Sequence, residues 1–233
     1  MNGGIPLMLV VIGAAAVAAI NPTSIGIMNQ VIASTFGRGK DVSRLVWVSV
    51  LFLVSMFAAS TLFGLAFLYV IRDFSDDVFH GFALTVAALA NVFALLDIKD
   101  FFWYGKGLSL SASSNIAVKI HRKSKRLDSA MKIINLGLLS SVAVAPASIA
   151  ALLAVVVITA AASASALYIP LFCGIFLLPL ISIIIMAING TRVSVITKWK
   201  EESKGTMRLY TGLVIVALSW VILLIESGAV KFR

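Results

Sequence analysis

Long uncharged apolar runs alternate with short charged segments along the chain, and the runs predict membrane-spanning helices. A bilayer core is crossed by about 20 apolar residues of helix. Six runs reach that length, and they cover residues 5–36, 45–71, 81–103, 133–161, 167–190 and 207–226. Only the small residues 161–166 divide the fourth run from the fifth. The predicted fold class is an all-α integral membrane protein with six transmembrane helices.

Two of these runs contain a proline among small polar residues near their middle. Pro22 lies in the first run and Pro146 lies in the fourth. Proline lacks an N–H and clashes with the preceding turn, so we expect both helices to be broken there. Broken helices at corresponding positions suggest two related halves. The predicted division is a first three-helix half at 1–103, a basic loop at 104–132 and a second three-helix half at 133–233.

Interrupted helices in two halves indicate a solute site between the repeats, near the middle of the bilayer. The residues around the two prolines are the candidate lining of such a cavity. They are Asn21, Pro22, Thr23, Ser24, Ser141, Pro146, Ala147 and Ser148. The alternative is that these residues only pack helices and repair the backbone at the prolines.

Composition and charge place the chain in a membrane. Of its 233 residues, 61% are hydrophobic and 12% are charged, and the mean hydropathy is +1.06. Soluble domains contain about 25% charged residues. The net charge of +9 comes from basic residues in the gaps between runs, so it predicts topology rather than nucleic-acid binding. Of the 19 basic residues, all but Arg72, Lys231 and Arg233 are assigned to the loops after the first, third and fifth runs, with Lys99 at the end of the third run counted in its loop.

By the positive-inside rule, those three loops are cytoplasmic and both termini lie on the outer side of a cytoplasmic (inner) membrane. The third loop is the largest, and residues 116–127 are expected to form a basic amphipathic helix on the membrane surface. Its candidate contact residues for lipid or a partner are Lys119, Arg122, Lys123, Lys125 and Arg126. The pattern leaves open anionic headgroups or a cytoplasmic partner protein.

Few residues in the runs could carry reaction chemistry. Asp97 lies near the cytoplasmic end of the third run, as an interfacial anchor or as a proton or ion site. Cys173 is the single cysteine, which excludes a disulfide within the chain. No clustered Cys, His or acidic residues predict a metal, and no motif predicts a cofactor, a hydrolase or a dehydrogenase.

Three stretches carry a resemblance to a known family. They read INPTSI at 20–25, LDIKDFFWYGKGLSL at 96–110 and MRLYTGL at 207–213. Together they resemble the CcdA family of cytochrome c biogenesis proteins, related to the transmembrane domain of DsbD within the LysE-like transporter superfamily. The resemblance implies six spans with both termini outside.

The resemblance also implies a reaction that this chain cannot carry out in the family's way. In the family, a cysteine beside the proline of the first and fourth spans passes electrons from thioredoxin across the membrane. The matching positions here are Thr23 and Ala147. Thiol–disulfide exchange needs two thiols close enough to bond. The family fold is therefore expected without the family's redox pair.

Three functions follow from these observations. The first is a non-redox transporter of a small solute on the family's scaffold. The second is a membrane assembly or scaffold subunit that binds a partner protein through the basic loop. The third is transmembrane electron transfer, with Cys173 using a thiol from another protein.

Overall fold

The computed structural model describes residues 4–36, 41–103, 114–125 and 127–229, and this part of the chain is helical without strands. The prediction of an all-α protein is confirmed. The helices are α1 (Gly4–Ala19), α2 (Pro22–Phe36), α3 (Val42–Arg72), α4 (Asp76–Phe102), α5 (Ser114–Ser124), α6 (Ala130–Ala161), α7 (Tyr168–Ile188) and α8 (Val193–Glu226).

Four of the described helices, α3, α4, α7 and α8, are each long and apolar enough to cross a membrane. Two further segments reach that standard only as bent pairs. The axis of Pro6–Ala19 makes 57° with that of α2, and within α6 the axis of Ala130–Pro146 makes 84° with that of Ser148–Ala161. The described residues thus hold four candidate spans, or six if each bent pair is one span. Such a chain fits a multi-pass membrane protein.

α1 and α2 are two separate helices because residues 21–24 start a new helix. The Asn21 Oδ1 atom accepts a hydrogen bond from the Thr23 backbone N–H at 2.9 Å. The Ser24 hydroxyl donates to the Asn21 carbonyl at 2.8 Å. Pro22 occupies the first position of α2, where its missing N–H costs nothing. Asn21 therefore caps α2, as asparagine commonly does.

The last predicted span differs from α8 in length. The apolar run begins at residue 207, whereas α8 begins at Val193 and is 34 residues long. Its first turns carry many charged side chains, so they extend the helix beyond the apolar run. Hydropathy detects the part of a helix that suits lipid, and the hydrogen-bonded helix continues past it.

Contacts at both ends of α3 show that α3 and α6 run in the same direction. Near the start of each helix, the Arg44 guanidinium donates to the Leu127 carbonyl at 3.2 Å. At the other end, the guanidinium of Arg72, the last residue of α3, donates to the carbonyl of Ala164, just past the end of α6, at 2.5 Å. Despite its bend at Pro146, α6 therefore extends from one end of the bundle to the other. We call the end with Arg44 and Leu127 the basic end.

The packing of the helices follows a repeated pattern. α4 packs most extensively on α8, while α3 packs on α6 much as α7 packs on α1 and α2. α4 also contacts α6, as α8 contacts α1 and α2. Among the described residues, the consecutive helices α3 and α4 make little contact, and so do α7 and α8. Helices α1–α4 therefore pack mainly against helices α6–α8.

Candidate functional site

A cluster of buried charged side chains lies between α4 and α8, near the basic end. We call it the buried cluster; it consists of Asp97, Asp100 and Arg208. The Arg208 Nη1 atom donates a hydrogen bond to Asp97 Oδ1, and it lies 3.9 Å from Asp100 Oδ2. The exposed fractions are 0% for both aspartates and 1% for Arg208. Asp97 is thus fully buried between helices. The sequence alone allowed it to be either an interfacial anchor or a proton or ion site.

The buried cluster keeps hydrogen-bonding capacity that the described protein atoms do not use. Asp97 Oδ2 and the Nε and Nη2 atoms of Arg208 have no partner within the described part of the chain. Lys99 adds a second cation, with its Nζ 2.9 Å from Asp100 Oδ1. Two acidic and two basic groups therefore balance in charge. A buried pair of this kind contributes little net stability, but loss of one partner costs about 3–5 kcal/mol.

Gly212 allows α8 to approach α4 closely enough for the buried cluster to form. A Cβ at residue 212 would lie 2.7 Å from Ile98 Cγ1 and 2.8 Å from the Ala94 carbonyl oxygen. Arg208 lies one turn before Gly212, on the same face of α8. The missing side chain thus brings the helix backbones together beside the point where Arg208 reaches Asp97.

A second acid–base pair joins the same two helices at the opposite end. His80 Nδ1 lies 2.6 Å from Glu226 Oε2. Residues 80–97 of α4 and residues 208–226 of α8 each extend about 26 Å at 1.5 Å per residue. In each pair, an acid near the end of one helix contacts a base nearer the start of the other. The two pairs therefore join α4 and α8 as antiparallel helices at two well-separated levels, one buried and one partly exposed.

The candidate cavity residues of the first half make local contacts. Asn21, Pro22 and Ser24 are buried, and Thr23 is half-buried. The hydrogen bonds of Asn21 and Ser24 described above stay within the first turn of α2. The polar residues beside Pro22 thus serve the helix break itself.

The candidate residues of the second half face α3. The Ser141 hydroxyl donates to the Met56 carbonyl at 3.3 Å, and the Ser148 hydroxyl donates to the Val144 carbonyl at 3.2 Å. Both serines line a groove between α3 and α6. Pro146 is half-buried inside α6, and the side chain of Ala147 lies outside the described residues. Within the described part, no hydrogen bond joins the residues around Pro22 to those around Pro146.

Farther along α2, a polar contact joins the helix to the charged part of α8. The Asn29 side-chain amide donates to the Thr197 hydroxyl at 3.4 Å. The side-chain carbonyl oxygens of Asn29 and Gln30 are buried without a hydrogen-bond partner among the described residues. Residues of α2 thus add polar groups at the basic end of the bundle.

The basic loop forms helix α5, and its apolar side is covered by protein. Ile120 is buried, as is Leu127 after the helix, and α5 packs on α2 and α6. The cationic side chains Lys119, Arg122, Lys123 and Lys125 are exposed, and Arg126 lies outside the described residues. The expected amphipathic helix therefore exists, but its apolar face contacts the bundle.

Cys173 is buried in α7. A search of the described residues finds no group of three or more His, Cys, Asp or Glu side chains that could hold a metal ion.

Comparison of the chain with protein-family models, curated proteins and solved structures finds no match. The resemblance to the CcdA family therefore stays a prediction. The fold and site are those of a helical chain that fits a multi-pass membrane protein and has a buried acid–base cluster.

Proposed function

We propose that the protein is a secondary transporter of a small solute, and that the buried cluster closes its basic end. The observation that carries this proposal is the pairing of α4 with α8 through two acid–base contacts, of which the Asp97–Arg208 contact is buried. Ionisable residues inside a membrane are costly to bury and typically mark a pathway for ions or substrates.

The proposed architecture is six spans in two inverted halves, with α1 and α2 together forming the first span. α3 and α7 occupy corresponding places in the two halves, and so do α4 and α8. The reciprocal packing described above supports this assignment, because each helix of one half has a counterpart with similar neighbours. One pair departs from the pattern, since α6 contacts α8 whereas α1 and α2 do not contact α4 extensively.

The orientation that we propose places the basic end in the cytoplasm and both termini outside, in an inner membrane. The positions of the acid–base pairs are consistent with a spanning arrangement, because about 26 Å of helix separates them and a bilayer core is about 30 Å thick. Each pair would then lie near one boundary of the hydrocarbon region.

Alternating access follows from this arrangement. Inverted-repeat transporters expose a central site to one side at a time by rocking one half against the other. Separation of α4 from α8 at the basic end breaks the Asp97–Arg208 pair, and separation at the other end breaks the His80–Glu226 pair. The unused hydrogen-bonding atoms of Asp97 and Arg208 can then bind water, a proton or a polar group of the solute.

The chain's cysteine content supports a non-redox role. Electron transfer by thiol–disulfide exchange within the chain requires a second cysteine, and Cys173 is the only one in the sequence. Its burial in α7 also hinders attack by a thiol from another protein. We therefore favour solute movement over the reaction of the CcdA family.

Reconstitution of the purified protein in vesicles tests the proposal. Vesicles with and without protein are exposed to isotope-labelled pools of amino acids, organic acids, sugars and nucleosides, and the retained label is counted. At least one pool should accumulate only with protein, and the Asp97→Asn variant should lose that accumulation. Lys198→Gln, an exposed change outside the buried cluster, should retain it. Failure of every pool, or full uptake by Asp97→Asn, would contradict the proposal.

A further inference from the structure

A basic pocket lies where α5 meets the start of α6. Its cavity of about 550 Å³ is lined by Arg122, Lys123, Lys125, Lys132 and Asn135. Asp128 is the acidic group that pairs with Lys132, at 2.6 Å from its Nζ atom. Beyond this pair, Arg122 and Lys123 add positive charge to the lining. The pocket is therefore suited to an anion.

An apolar groove of about 430 Å³ lies farther along α6, between α6 and α3. Ala59 and Phe63 line it from α3, and Leu138, Val142 and Ile149 are among the residues that line it from α6. Val142 is 59% exposed and Leu138 is 43% exposed in the absence of lipid. The groove thus opens at the outer surface of the helix bundle. In a membrane protein, that surface faces the hydrocarbon of the bilayer.

The pocket and the groove form one continuous surface along α6. Met131, Asn135, Leu138 and Val142 follow each other at spacings of three and four residues, so they share one exposed face of the helix. Asn135 lines the pocket, and Leu138, one turn later, lines the groove. From residue 132 to residue 142, α6 rises about 15 Å, which is half the thickness of a bilayer core.

We propose that this surface is a binding site for one anionic phospholipid. The phosphate of the headgroup lies beside Arg122 and Lys123, and one acyl chain lies in the groove between α3 and α6. Basic pockets beside transmembrane helices recognise anionic headgroups by this charge complementarity. This site is separate from the buried cluster, and it does not depend on the transporter proposal.

Two features of the surface select a lipid over a free phosphate or a soluble partner. A free anion would use only the pocket, whereas the groove continues from it over lipid-facing residues. A soluble protein cannot follow the groove, because the groove extends away from the basic end along a membrane-spanning segment. A phospholipid has both a charged headgroup and an apolar chain, so it can fill the pocket and the groove, which follow each other along α6.

Native mass spectrometry of the full chain in detergent tests the site. The probe is dioleoylphosphatidylglycerol, compared with dioleoylphosphatidylcholine, which has the same chains but no net charge. We expect tighter binding of the anionic lipid by about thirtyfold, since Arg122 and Lys123 each contribute about 1 kcal/mol. Lys123→Gln should weaken its binding by about fivefold on the same scale. Lys198→Gln, with the same change in net charge outside the pocket, should not.

A second pair of variants tests the groove. Ala59→Phe places a ring in the space for the acyl chain, and we expect it to weaken binding of the anionic lipid. Ala58→Phe is the matched control, because Ala58 is the exposed neighbour that does not line the groove. Since Ala58 is exposed and Ala59 borders the open groove, size-exclusion profiles should match that of the unchanged protein.

Several outcomes would overturn the proposal. Equal affinity for the two lipids would remove the charge-selective pocket, and equal effects of Lys123→Gln and Lys198→Gln would reduce it to general surface charge. Equal effects of Ala59→Phe and Ala58→Phe would remove the acyl-chain groove. Displacement of the lipid by an equal concentration of glycerol 3-phosphate would show that the phosphate group alone is recognised.

Discussion

The close approach of α8 to α4 predicts opposite effects for two glycine substitutions on α8. Gly205 and Gly212 are seven residues apart and both face α4. A Cβ at residue 205 would lie 3.6 Å from the Phe101 ring and 3.8 Å from its carbonyl oxygen, which is ordinary contact. Alanine is favoured over glycine within a helix by about 1 kcal/mol. Gly205→Ala should therefore leave the protein as stable or stabilise it slightly.

Gly212→Ala brings the same intrinsic gain in helix stability, but there is no space beside α4 for the added Cβ atom. Its Cβ would lie 2.7 Å from Ile98 Cγ1, whereas carbon atoms prefer a separation of at least about 3.5 Å. One helix must therefore move by most of an ångström. Overpacking of this kind costs about 1–3 kcal/mol. The movement also separates Arg208 from Asp97, so we expect a net loss of about 1–2 kcal/mol after the alanine gain.

Thermal unfolding of both variants in the same detergent measures this difference. For a chain of this size, 1 kcal/mol corresponds to about 2–4 °C in Tm. Gly212→Ala should unfold several degrees below Gly205→Ala, which should unfold at or above the temperature of the unchanged protein. If Gly212→Ala is as stable as Gly205→Ala, α4 and α8 do not pack as closely as described, and the geometry of the buried cluster is wrong.

Three further predictions concern other contacts. Arg208→Met should destabilise the protein by about 3–5 kcal/mol because it leaves Asp97 buried without its partner, and Asp97→Leu in the same chain should recover most of that loss in thermal unfolding. Asn21→Ala removes the cap of α2 and should cost about 1 kcal/mol, measured in the same way against Thr85→Ala on the exposed face of α4. Glu201, outside the apolar run, has its pKa lowered to about 2 by hydrogen bonds from Lys200 and Lys204. Because this pKa lies below the ordinary value of 4.5, ionised Glu201 stabilises the fold, and Glu201→Gln should lower the stability by a constant amount above pH 4.5. For so exposed a group the amount should be under about 1 kcal/mol, and it should vanish as the pH falls toward 2.

Hydropathy predicted the helices of this protein well because lipid imposes a simple requirement on a sequence. A spanning helix must be apolar over most of its length, so α3, α4 and α7 could be found from apolar runs alone. Between α1 and α2 the helix axis turns by 57°, at a point where Asn21 and Pro22 favour the start of a helix. The predicted halves concern packing between distant helices, which local composition does not determine.

The buried cluster was only partly predictable. Asp97 drew attention as a carboxylate inside an apolar run, but Arg208 follows a charged segment that begins at Lys198 and reads as part of a loop. Its burial depends on a contact between helices more than a hundred residues apart in sequence. One signal was present: Asp97 and Asp100 are three residues apart on one helix face, so both need a cation from a neighbouring helix.

Uptake by a double variant tests the central claim most directly. Asp97→Asn combined with Arg208→Gln keeps polar side chains of similar size and removes both charges, so no unpaired charge stays buried. After confirmation that it unfolds within a few degrees of the unchanged protein, its vesicles are given the solute pool that the unchanged protein accumulates. We predict that uptake falls to the level of protein-free vesicles. Uptake at the unchanged rate would show that the Asp97–Arg208 pair only holds α4 and α8 together.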